Sequence, residues 1–464
     1  MRQSGQRRPA ALNAKCSINS LQVLAVLCID FLENVMNDGS NSDRSKNLSR
    51  RTLYKLLVAG AALSIGILGC GGSETAATVE PKYYAAWTGA LLDVTTARPS
   101  AVPGTAKIFD NQTVRHVLRS SIGGDSVKIK LSNLFGKTAI TFSGVRVAKS
   151  AGKSAIDVST DKEVLFGGKG SVTLAPGQEM LSDPIALQVS PLTDLAVSIF
   201  FATPTTVATV HALGVQNAFV SAGNVLSAAS IVQPIADGTW QSYWGLTAVE
   251  VSSTEKTTVV VAFGDSITDG FRSTVDGYKR YPNLLDIRLK AAGQSRTSVV
   301  NAGISGNRWL NLGSGPSGNS RFERDVLNVT GVTHTIILLG INDIGNSIPT
   351  REPTQAVTVE ELTFSLETAI SKAKAKGIKV LVATILPYKG AAYYSDSGEV
   401  MRVAVNAWIR NNKVIDGVVD FDKIMQSSSD PAVMNPLYDA GDFLHPNDAG
   451  YAAMAAAIDL AKLQ

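Results

Sequence analysis

Cysteine is scarce in this sequence, and several motifs that would direct a functional interpretation are missing. The 464 residues contain three cysteines, Cys16, Cys28 and Cys70, and none of them has the spacing of a zinc site. No phosphate-binding loop is present either, so we expect no cofactor. The chain also has no G-x-S-x-G motif, which excludes the nucleophile elbow of the α/β-hydrolases.

A strong excess of one charge is also missing from most of the chain. Residues 1–69 carry nine of the 43 Lys and Arg residues and four of the 39 Asp and Glu residues. The remainder therefore holds 34 basic and 35 acidic side chains, a net charge of −1. The formal net charge of +4 comes from the N-terminus. We therefore expect no binding of nucleic acid.

The N-terminal part has no apolar run long enough to span a membrane. The run LLVAGAALSIGIL has 13 residues, whereas a spanning helix needs about 20. It suits the core of a signal peptide, although a short buried helix would have the same composition. SRRTLYK before the run resembles a twin-arginine export signal, and ILGC after it resembles a lipobox ending at Cys70. The sequence therefore predicts a signal peptide over residues 36–69 and lipid on Cys70.

These features predict an exported lipoprotein of the bacterial cell envelope, held at the membrane only by the lipid anchor at Cys70. After cleavage Cys70 would be the only cysteine left, so no disulfide is expected. Residues 70–81 are small and polar, which is typical of a tether. Residues 1–35 are interpreted as a doubtful extension, because Met36 would give a signal peptide of normal length.

Residues 82–255 have the two-residue rhythm of half-buried strands. In DSVKIKL the apolar residues Val127, Ile129 and Leu131 alternate with lysines. LAVSIFF (195–201) and TTVATVHAL (205–213) are similar runs. Turn signals containing Gly and Pro separate the runs, and no long helical pattern stands out. The pattern predicts an antiparallel β-sandwich domain.

From Thr257 onwards the pattern changes to continuous β-branched runs with helical patterns between them. Strands that are apolar on both faces belong to a covered parallel sheet. Apolar residues at helical spacing and a terminal glycine predict a helix over residues 359–377. The alternation predicts a doubly wound α/β domain over residues 256–464. The predicted strands are TTVVVAF (257–263), TSVVN (297–301), HTIILLG (334–340), IKVLVATILP (378–387) and VVDFD (418–422).

Polar motifs follow these strands or precede the last predicted helix. They are GDS, NAGISGN, GIND and DFLHP, in that order along the chain. In open α/β sheets functional residues collect beyond the carboxyl ends of the strands. Serine, glycine, asparagine and an Asp–His pair form the set that acyl transfer requires. Each motif alone is more often a turn or a helix cap, so the prediction depends on their conjunction.

With these motifs, the chain resembles the SGNH hydrolases of the GDSL esterase and lipase group. GDSITDG, NAGISGN, GIND and DFLHP match the four blocks of that family in its own order. The resemblance implies a flavodoxin-like parallel sheet, with Ser266 as the nucleophile and Asp265 in a supporting role. It also implies that His445 is the general base and that Asp442 orients it. Residues 82–255 are similar to the β-rich domain that precedes the catalytic domain in some exported members.

The resemblance also implies an oxyanion hole. Its donors would be the backbone N–H groups of Ser266 and Gly306 and the side-chain amide of Asn342. Gly306 is preferred to Gly303 because the family pattern places the glycine directly after the serine of I-S-G. Such donors cost little to reorganise as negative charge develops in the transition state.

The implied function is hydrolysis of carboxylic esters through an acyl-enzyme. Short, acetyl-like esters are the expected substrates, as small molecules or polysaccharides, and acetylated carbohydrates are among the candidates. Two alternatives stay open. One is a lysophospholipase or lipase that uses the same residues, and the other is a non-catalytic lipoprotein that binds glycans.

Several other aromatic and histidine residues could serve only to pack the core. Four aromatic residues near the motifs either line a substrate cleft or pack the core: Trp309, Tyr388, Tyr393 and Tyr394. Three histidines lie within or beside predicted strands and are interpreted as packing residues: His116, His211 and His334.

Overall fold

The computed structural model describes residues 80–95, 106–231, 239–347 and 355–464. The predicted signal peptide, Cys70 and most of the predicted tether lie outside these residues. Val79–Gln464 cluster as one compact unit. Among the described residues, no helix combines the length and the apolar character needed to cross a bilayer.

The β-rich region consists of short strands that pair only in antiparallel fashion. Its strands are β1 (Lys82–Thr88), β2 (Leu92–Asp93), β3 (Lys107–Phe109), β4 (Gln112–Arg119), β5 (Gly124–Ser132), β6 (Ile140–Phe142), β7 (Gly144–Gly152), β8 (Ala155–Ile156), β9 (Lys162–Glu163), β10 (Val172–Leu174), β11 (Glu179–Leu181), β12 (Ile185–Val189), β13 (Asp194–Phe201), β14 (Thr205–Val207), β15 (Thr209–His211), β16 (Ala218–Ala222), β17 (Thr239–Trp240), β18 (Tyr243–Trp244) and β19 (Leu246–Ser253).

Two larger sheets and three smaller ones are formed by these strands. One larger sheet has five strands, in the order β1-β19-β5-β11 with β12 also on β5. The other has seven, in the order β17-β16-β4-β13-β7-β8 with β9 also on β7. The smaller sheets are β10-β6, β14-β3 and β18-β15-β2. The antiparallel pairing agrees with the sequence, whereas packing of the larger sheets into a sandwich stays a prediction.

The alternation within β5 sets its orientation. Val127, Ile129 and Leu131 are fully buried, while the lysines between them stay partly exposed. Successive side chains of a strand point to opposite faces, so this spacing places one face on the core and the other towards solvent.

The second region is built on a five-stranded parallel sheet. Its strands are β20 (Thr258–Gly264), β21 (Thr297–Gly303), β22 (His334–Leu338), β23 (Lys379–Ala383) and β24 (Gly417–Val419). Their order is β21-β20-β22-β23-β24, and every neighbouring pair is parallel. This is the strand order of flavodoxin-like sheets, in which ligands bind beyond the carboxyl ends of the strands.

Helices occupy the connections of this sheet. They are α1 (Ser266–Asp269), α2 (Tyr281–Ala291), α3 (Gly318–Phe322), α4 (Ile341–Asn346), α5 (Val359–Ala375), α6 (Asp396–Asn411), α7 (Phe421–Met425) and α8 (Asp448–Ala457). A π-helical turn spans Glu323–Leu327, and 3₁₀ turns span Val158–Thr160 and Leu460–Leu463.

Helix α5 shows why the predicted helix forms where it does. Thr358 and Glu361 form a reciprocal capping box, which satisfies two free N–H groups at its start. Gly377, just beyond its end, has a φ of +73°. Glycine takes this left-handed conformation without a steric penalty, so the helix ends there.

The β-rich region packs directly against the edge strand β21. The backbone N–H of Ala85 donates to Thr330 O, and the Ser298 hydroxyl donates to Ala85 O. Thr88 Oγ1 donates to Asn301 O. Buried apolar residues of both regions belong to one continuous core cluster. The strand leading into the NAGISGN motif is therefore held by the β-rich region along its length.

Candidate active site

Three predicted site residues form one hydrogen-bonded chain. Ser266 Oγ lies 2.9 Å from His445 Nε2, and His445 Nδ1 lies 2.9 Å from Asp442 Oδ2. Ser266 is only 7% exposed and His445 9%, whereas the Asp442 side chain is partly exposed. A serine hydroxyl, an imidazole and a carboxylate in this order form the arrangement that activates serine as a nucleophile.

The turn from β20 into α1 presents Ser266 at the carboxyl edge of the sheet. Ser266 is the first residue of α1, and the Asp265 side chain accepts a hydrogen bond from the Ile267 N–H. Gly264 is required at the end of the strand, since a Cβ there would lie 2.4 Å from Leu338 O. Gly270, with a φ of +98°, ends the helix after one turn.

A tight turn before α8 brings Asp442 and His445 together. Asp442 Oδ1 accepts the backbone N–H groups of Leu444 and His445. Asp439 Oδ1 in turn accepts the N–H groups of Gly441, Asp442 and Phe443. Asp439 was not among the predicted site residues, although an aspartate two residues before a glycine is a common turn signal.

Two aspartates next to the nucleophile and the base have opposite pKa shifts. Burial alone would raise the pKa of Asp442, but hydrogen bonds from the His445 side chain and backbone hold it well below its usual range. Burial raises the pKa of Asp265 to about 7, although the Ile267 N–H favours the ionised form. Asp442 is therefore the ionised partner available to orient an imidazole.

Two of the predicted oxyanion donors lie in the segments that follow β21 and β22. Gly306 follows β21 and has a φ of +74°, a conformation that favours glycine. Asn342 is the second residue of α4, and its Nδ2 donates to Asn307 O at 3.0 Å. Tyr393 Oη donates to Asn342 Oδ1 at 3.3 Å. Because both ends of this amide have partners, its orientation is fixed, and Nδ2 keeps a second N–H for another acceptor.

Gly303 has a different role from Gly306. It is the last residue of β21, and a Cβ there would lie 2.3 Å from the backbone N of Asp269. Its lack of a side chain permits close packing of α1 against β21.

Two buried charged residues form hydrogen bonds with the ends of β20 and β21 and with the segment that follows β21. The fully buried Arg321 donates to the carbonyl oxygens of Gly264 and Ala302 and to Asn307 Oδ1. Asp343 accepts the N–H groups of Trp309 and Leu310, and burial raises its pKa to about 6. Asp343 belongs to the GIND motif, whereas Arg321 lies in a polar stretch where no sequence pattern singles it out.

The aromatic and histidine candidates divide between packing and the site. Trp309 and Tyr388 are buried core residues, whereas Tyr393 reaches Asn342. Tyr394 packs on Tyr388, with ring centroids 5.1 Å apart. His211 lies in a strand, but its Nε2 is also 3.2 Å from Asp269 Oδ1 in the GDSITDG motif. The sequence interpretation of His211 as a packing residue is therefore incomplete.

A metal site was not predicted from the sequence. No group of three or more His, Cys, Asp or Glu side chains in the described parts of the chain could hold a metal ion.

Comparison with protein families gives one match. Residues 262–453 match the model described as the GDSL-like Lipase/Acylhydrolase family. This range contains Ser266, Gly306, Asn342, Asp442 and His445. No match is found among the curated proteins.

Several solved structures are similar to part of the chain. A GDSL-like lipase from Bacteroides thetaiotaomicron is 23% identical, covering 45% of this chain and 89% of its own, with a TM-score of 0.33. A catalytic mutant of an acetylxylan esterase from Geobacillus stearothermophilus is 23% identical, covering 45% of this chain and 94% of its own, with a TM-score of 0.35. A member of the lipolytic protein G-D-S-L family from Veillonella parvula is 23% identical, covering 43% of this chain and 96% of its own, with a TM-score of 0.31.

Proposed function

We propose that this chain hydrolyses esters through an acyl-enzyme on Ser266. The chain belongs to the GDSL-like lipase/acylhydrolase family through its residues 262–453 and is a carboxylic ester hydrolase. The observation that carries the proposal is the continuous chain from Ser266 Oγ through the His445 ring to Asp442. A serine hydroxyl is a poor nucleophile until a base takes its proton, and imidazole suits that task near neutral pH.

The proposed reaction has two halves. Ser266 Oγ attacks the ester carbonyl carbon while its proton passes to His445 Nε2. The C–O bond to the alcohol then breaks, the alcohol takes the proton from His445, and the acyl group stays on Ser266. Water then attacks the acyl carbon while one of its protons passes to His445 Nε2. The bond to Ser266 Oγ breaks, Oγ takes that proton back, and the acid is released. Asp442, held ionised by its hydrogen bonds, stabilises the imidazolium that forms in each half.

The proposed oxyanion hole consists of the N–H groups of Ser266 and Gly306 and the Asn342 amide. Support comes from the fixed amide of Asn342, whose two ends contact Tyr393 and the Asn307 carbonyl. Donors that are already oriented stabilise the developing negative charge without reorganising.

We propose that the substrates are esters of short acyl groups, because polar groups border the candidate site. The half-exposed guanidinium of Arg272 lies 3.4 Å from Asp442, and the Tyr393 hydroxyl donates to Asn342. A long apolar chain would have to cover such groups and remove water from them, which is unfavourable. An acetyl group has no such requirement, and acetylated carbohydrates are the polymeric candidates.

Kinetics on a series of p-nitrophenyl esters from acetate to laurate test this function. We expect kcat/KM to be highest for acetate and to fall with chain length, and we expect acetate release from acetylated xylan or pectin. A maximum at the long esters would support the lysophospholipase or lipase alternative. No turnover of any ester by folded protein would favour the non-catalytic alternative.

We also propose, from the sequence alone, that the protein is exported and anchored by lipid at Cys70. The support is the ILGC sequence after an apolar run of signal-peptide length. Mass spectrometry of mature protein from its source is expected to find a lipidated Cys70 at the N-terminus, and Cys70→Ser should release the protein from membranes. An unmodified N-terminus at another residue would contradict this.

A further inference from the structure

A histidine of the β-rich region reaches the helix that carries the candidate nucleophile. His211, the last residue of β15, is 5% exposed, and its Nε2 lies 3.2 Å from Oδ1 of Asp269. Asp269 is the last residue of α1 and is 1% exposed. The other ring nitrogen, Nδ1, lies 2.8 Å from Ala90 O. A side chain from outside residues 262–453 therefore contacts the GDSITDG motif.

The two partners of this imidazole define what it does. A backbone carbonyl oxygen and a carboxylate oxygen are hydrogen-bond acceptors. The two ring nitrogens of His211 therefore each face an acceptor, Ala90 O at Nδ1 and Asp269 Oδ1 at Nε2. A buried carboxylate oxygen is costly without a polar neighbour, and the His211 ring provides one.

The other oxygen of Asp269 holds the loop that carries Gly306. Oδ2 accepts the backbone N–H of Ser305 at 2.9 Å and the Ser305 hydroxyl at 2.8 Å. Ser305 directly precedes Gly306. Asp269 thus joins the nucleophile helix to the oxyanion loop, and Gly303 packs so closely on Asp269 N that the junction has little room to shift.

We propose that His211 is a positioning residue for the oxyanion hole. Its contact with Asp269 fixes the carboxylate that holds Ser305, and so fixes the direction of the Gly306 N–H. The inference depends on the proposed role of Gly306. It makes the β-rich region a structural part of the active site, and not only a neighbouring domain.

A second contact from the same region supports this arrangement. The segment between α1 and α2 is held by Val215 O, which accepts the Asp276 N–H at 3.0 Å. Asn217 donates from its backbone and side-chain nitrogens to the Asp276 carboxylate, at 2.8 and 2.7 Å. The stretch from His211 to Asn217 therefore contacts the nucleophile motif and the loop that follows it.

Two substitutions of similar size separate the contacts of His211. In His211→Asn the amide nitrogen occupies the position of Nδ1, so the bond to Ala90 O can persist while the contact with Asp269 is lost. In His211→Gln the amide nitrogen reaches the position of Nε2, so the contact with Asp269 can persist. We expect His211→Asn to lower kcat on the order of tenfold with little change in KM, since small displacements of catalytic groups have effects of this size. We expect His211→Gln to keep most of the kcat.

The measurement is steady-state kinetics on p-nitrophenyl acetate, with active enzyme counted by stoichiometric phosphonate labelling and Tm recorded for each variant. His116→Asn is the control, because His116 is a buried histidine of the same region whose ring packs on Tyr243 and Trp244. It should lower Tm and leave kcat unchanged.

A His211→Asn enzyme with normal kcat, or equal kcat in the two His211 variants, would overturn the inference. If neither variant folds, Ser305→Ala decides, because it removes the hydroxyl contact with Asp269 alone. A reduced kcat there supports the inference, and a normal kcat overturns it. An inactive wild-type enzyme would instead refute the proposed function.

Discussion

The two regions bury the same polar residue types and use them differently. In the β-rich region, Asn133 Nδ2 donates to two backbone carbonyl oxygens, and Ser182 Oγ accepts the Ile129 N–H. In the α/β region, Ser266 and His445 contact each other at the carboxyl edge of the sheet. The named side chains of the β-rich region bond to backbone groups of that region, whereas Ser266 and His445 bond to each other.

Histidine shows the difference most clearly. Burial lowers the pKa of His116 to about 3, so that ring stays neutral among aromatic neighbours. His445 lies instead between a hydroxyl and an ionised carboxylate. Residue type and burial alone therefore do not identify a general base, and the neighbours decide.

The largest expected effect comes from serine. Ser266→Ala should lower kcat roughly 10⁴-fold or more, because it removes the atom that forms the acyl-enzyme. Ser182→Ala, at a 4% exposed serine of the β-rich region, should cost about 1–3 kcal/mol of stability by leaving a backbone N–H unpaired. Its kcat per folded enzyme should stay normal. Both variants are compared by kinetics on p-nitrophenyl acetate and by thermal unfolding. Turnover near the wild-type value in Ser266→Ala would contradict the role of Ser266 as the nucleophile.

Asparagine gives the next largest effect. Asn342→Ala should lower kcat about 100- to 1,000-fold with little change in KM, because an oxyanion contact strengthens only in the transition state. Asn133→Ala should lower Tm and spare kcat, since Asn133 bonds Thr138 O and Leu174 O within the β-rich region.

The same kinetic and thermal measurements apply to the asparagine pair. Near-normal kcat in Asn342→Ala would show that this amide only links Asn307 and Tyr393. A large loss of kcat in folded Asn133→Ala would mean that the β-rich region affects the active site through residues other than His211.

The last prediction concerns the change of stability with pH and not kcat. The folded-state pKa of Asp265 is raised from 3.8 to about 7 by burial, so the folded protein keeps a proton that the unfolded chain loses. Stability should therefore fall as pH rises from about 4 to 7, by up to about 1.4 kcal/mol per pH unit for one proton. Asp286 and Asp343, whose pKa values burial raises to about 6, act in the same direction.

Asp265→Asn isolates the contribution of that residue. The amide oxygen can still accept the Ile267 N–H, but the titration is gone. Urea unfolding at several pH values should give a flatter dependence between pH 4 and 7 for the variant than for the wild type. Parallel curves would show that Asp265 does not titrate in this range.

Local patterns account for what the sequence predicted well. Continuous apolar runs identified all five strands of the parallel sheet, and α5 spans Val359–Ala375 within the predicted residues 359–377. Three of the four polar motifs fall at strand ends, where the residues between strand and helix must turn sharply, and DFLHP directly precedes α8. Their mutual distances follow from the parallel order of the strands.

Contacts between distant segments account for what it missed. The run TTVATVHAL resembled one strand, but β14 and β15 pair with different sheets, and periodicity carries no information about partners. The contact of His211 with Asp269 joins segments on either side of the boundary that the composition suggests. Arg321 likewise gains its role only from carbonyl groups that other strands bring to it.

The most direct test of the account is to trap the nucleophile. Wild-type enzyme incubated with a p-nitrophenyl phosphonate should release p-nitrophenolate, lose activity and gain one phosphonyl group per chain. Peptide mapping should locate that group on Ser266, and Ser266→Ala should remain unlabelled. Labelling of another residue with loss of activity, or full esterase activity with Ser266 modified, would contradict the central claim.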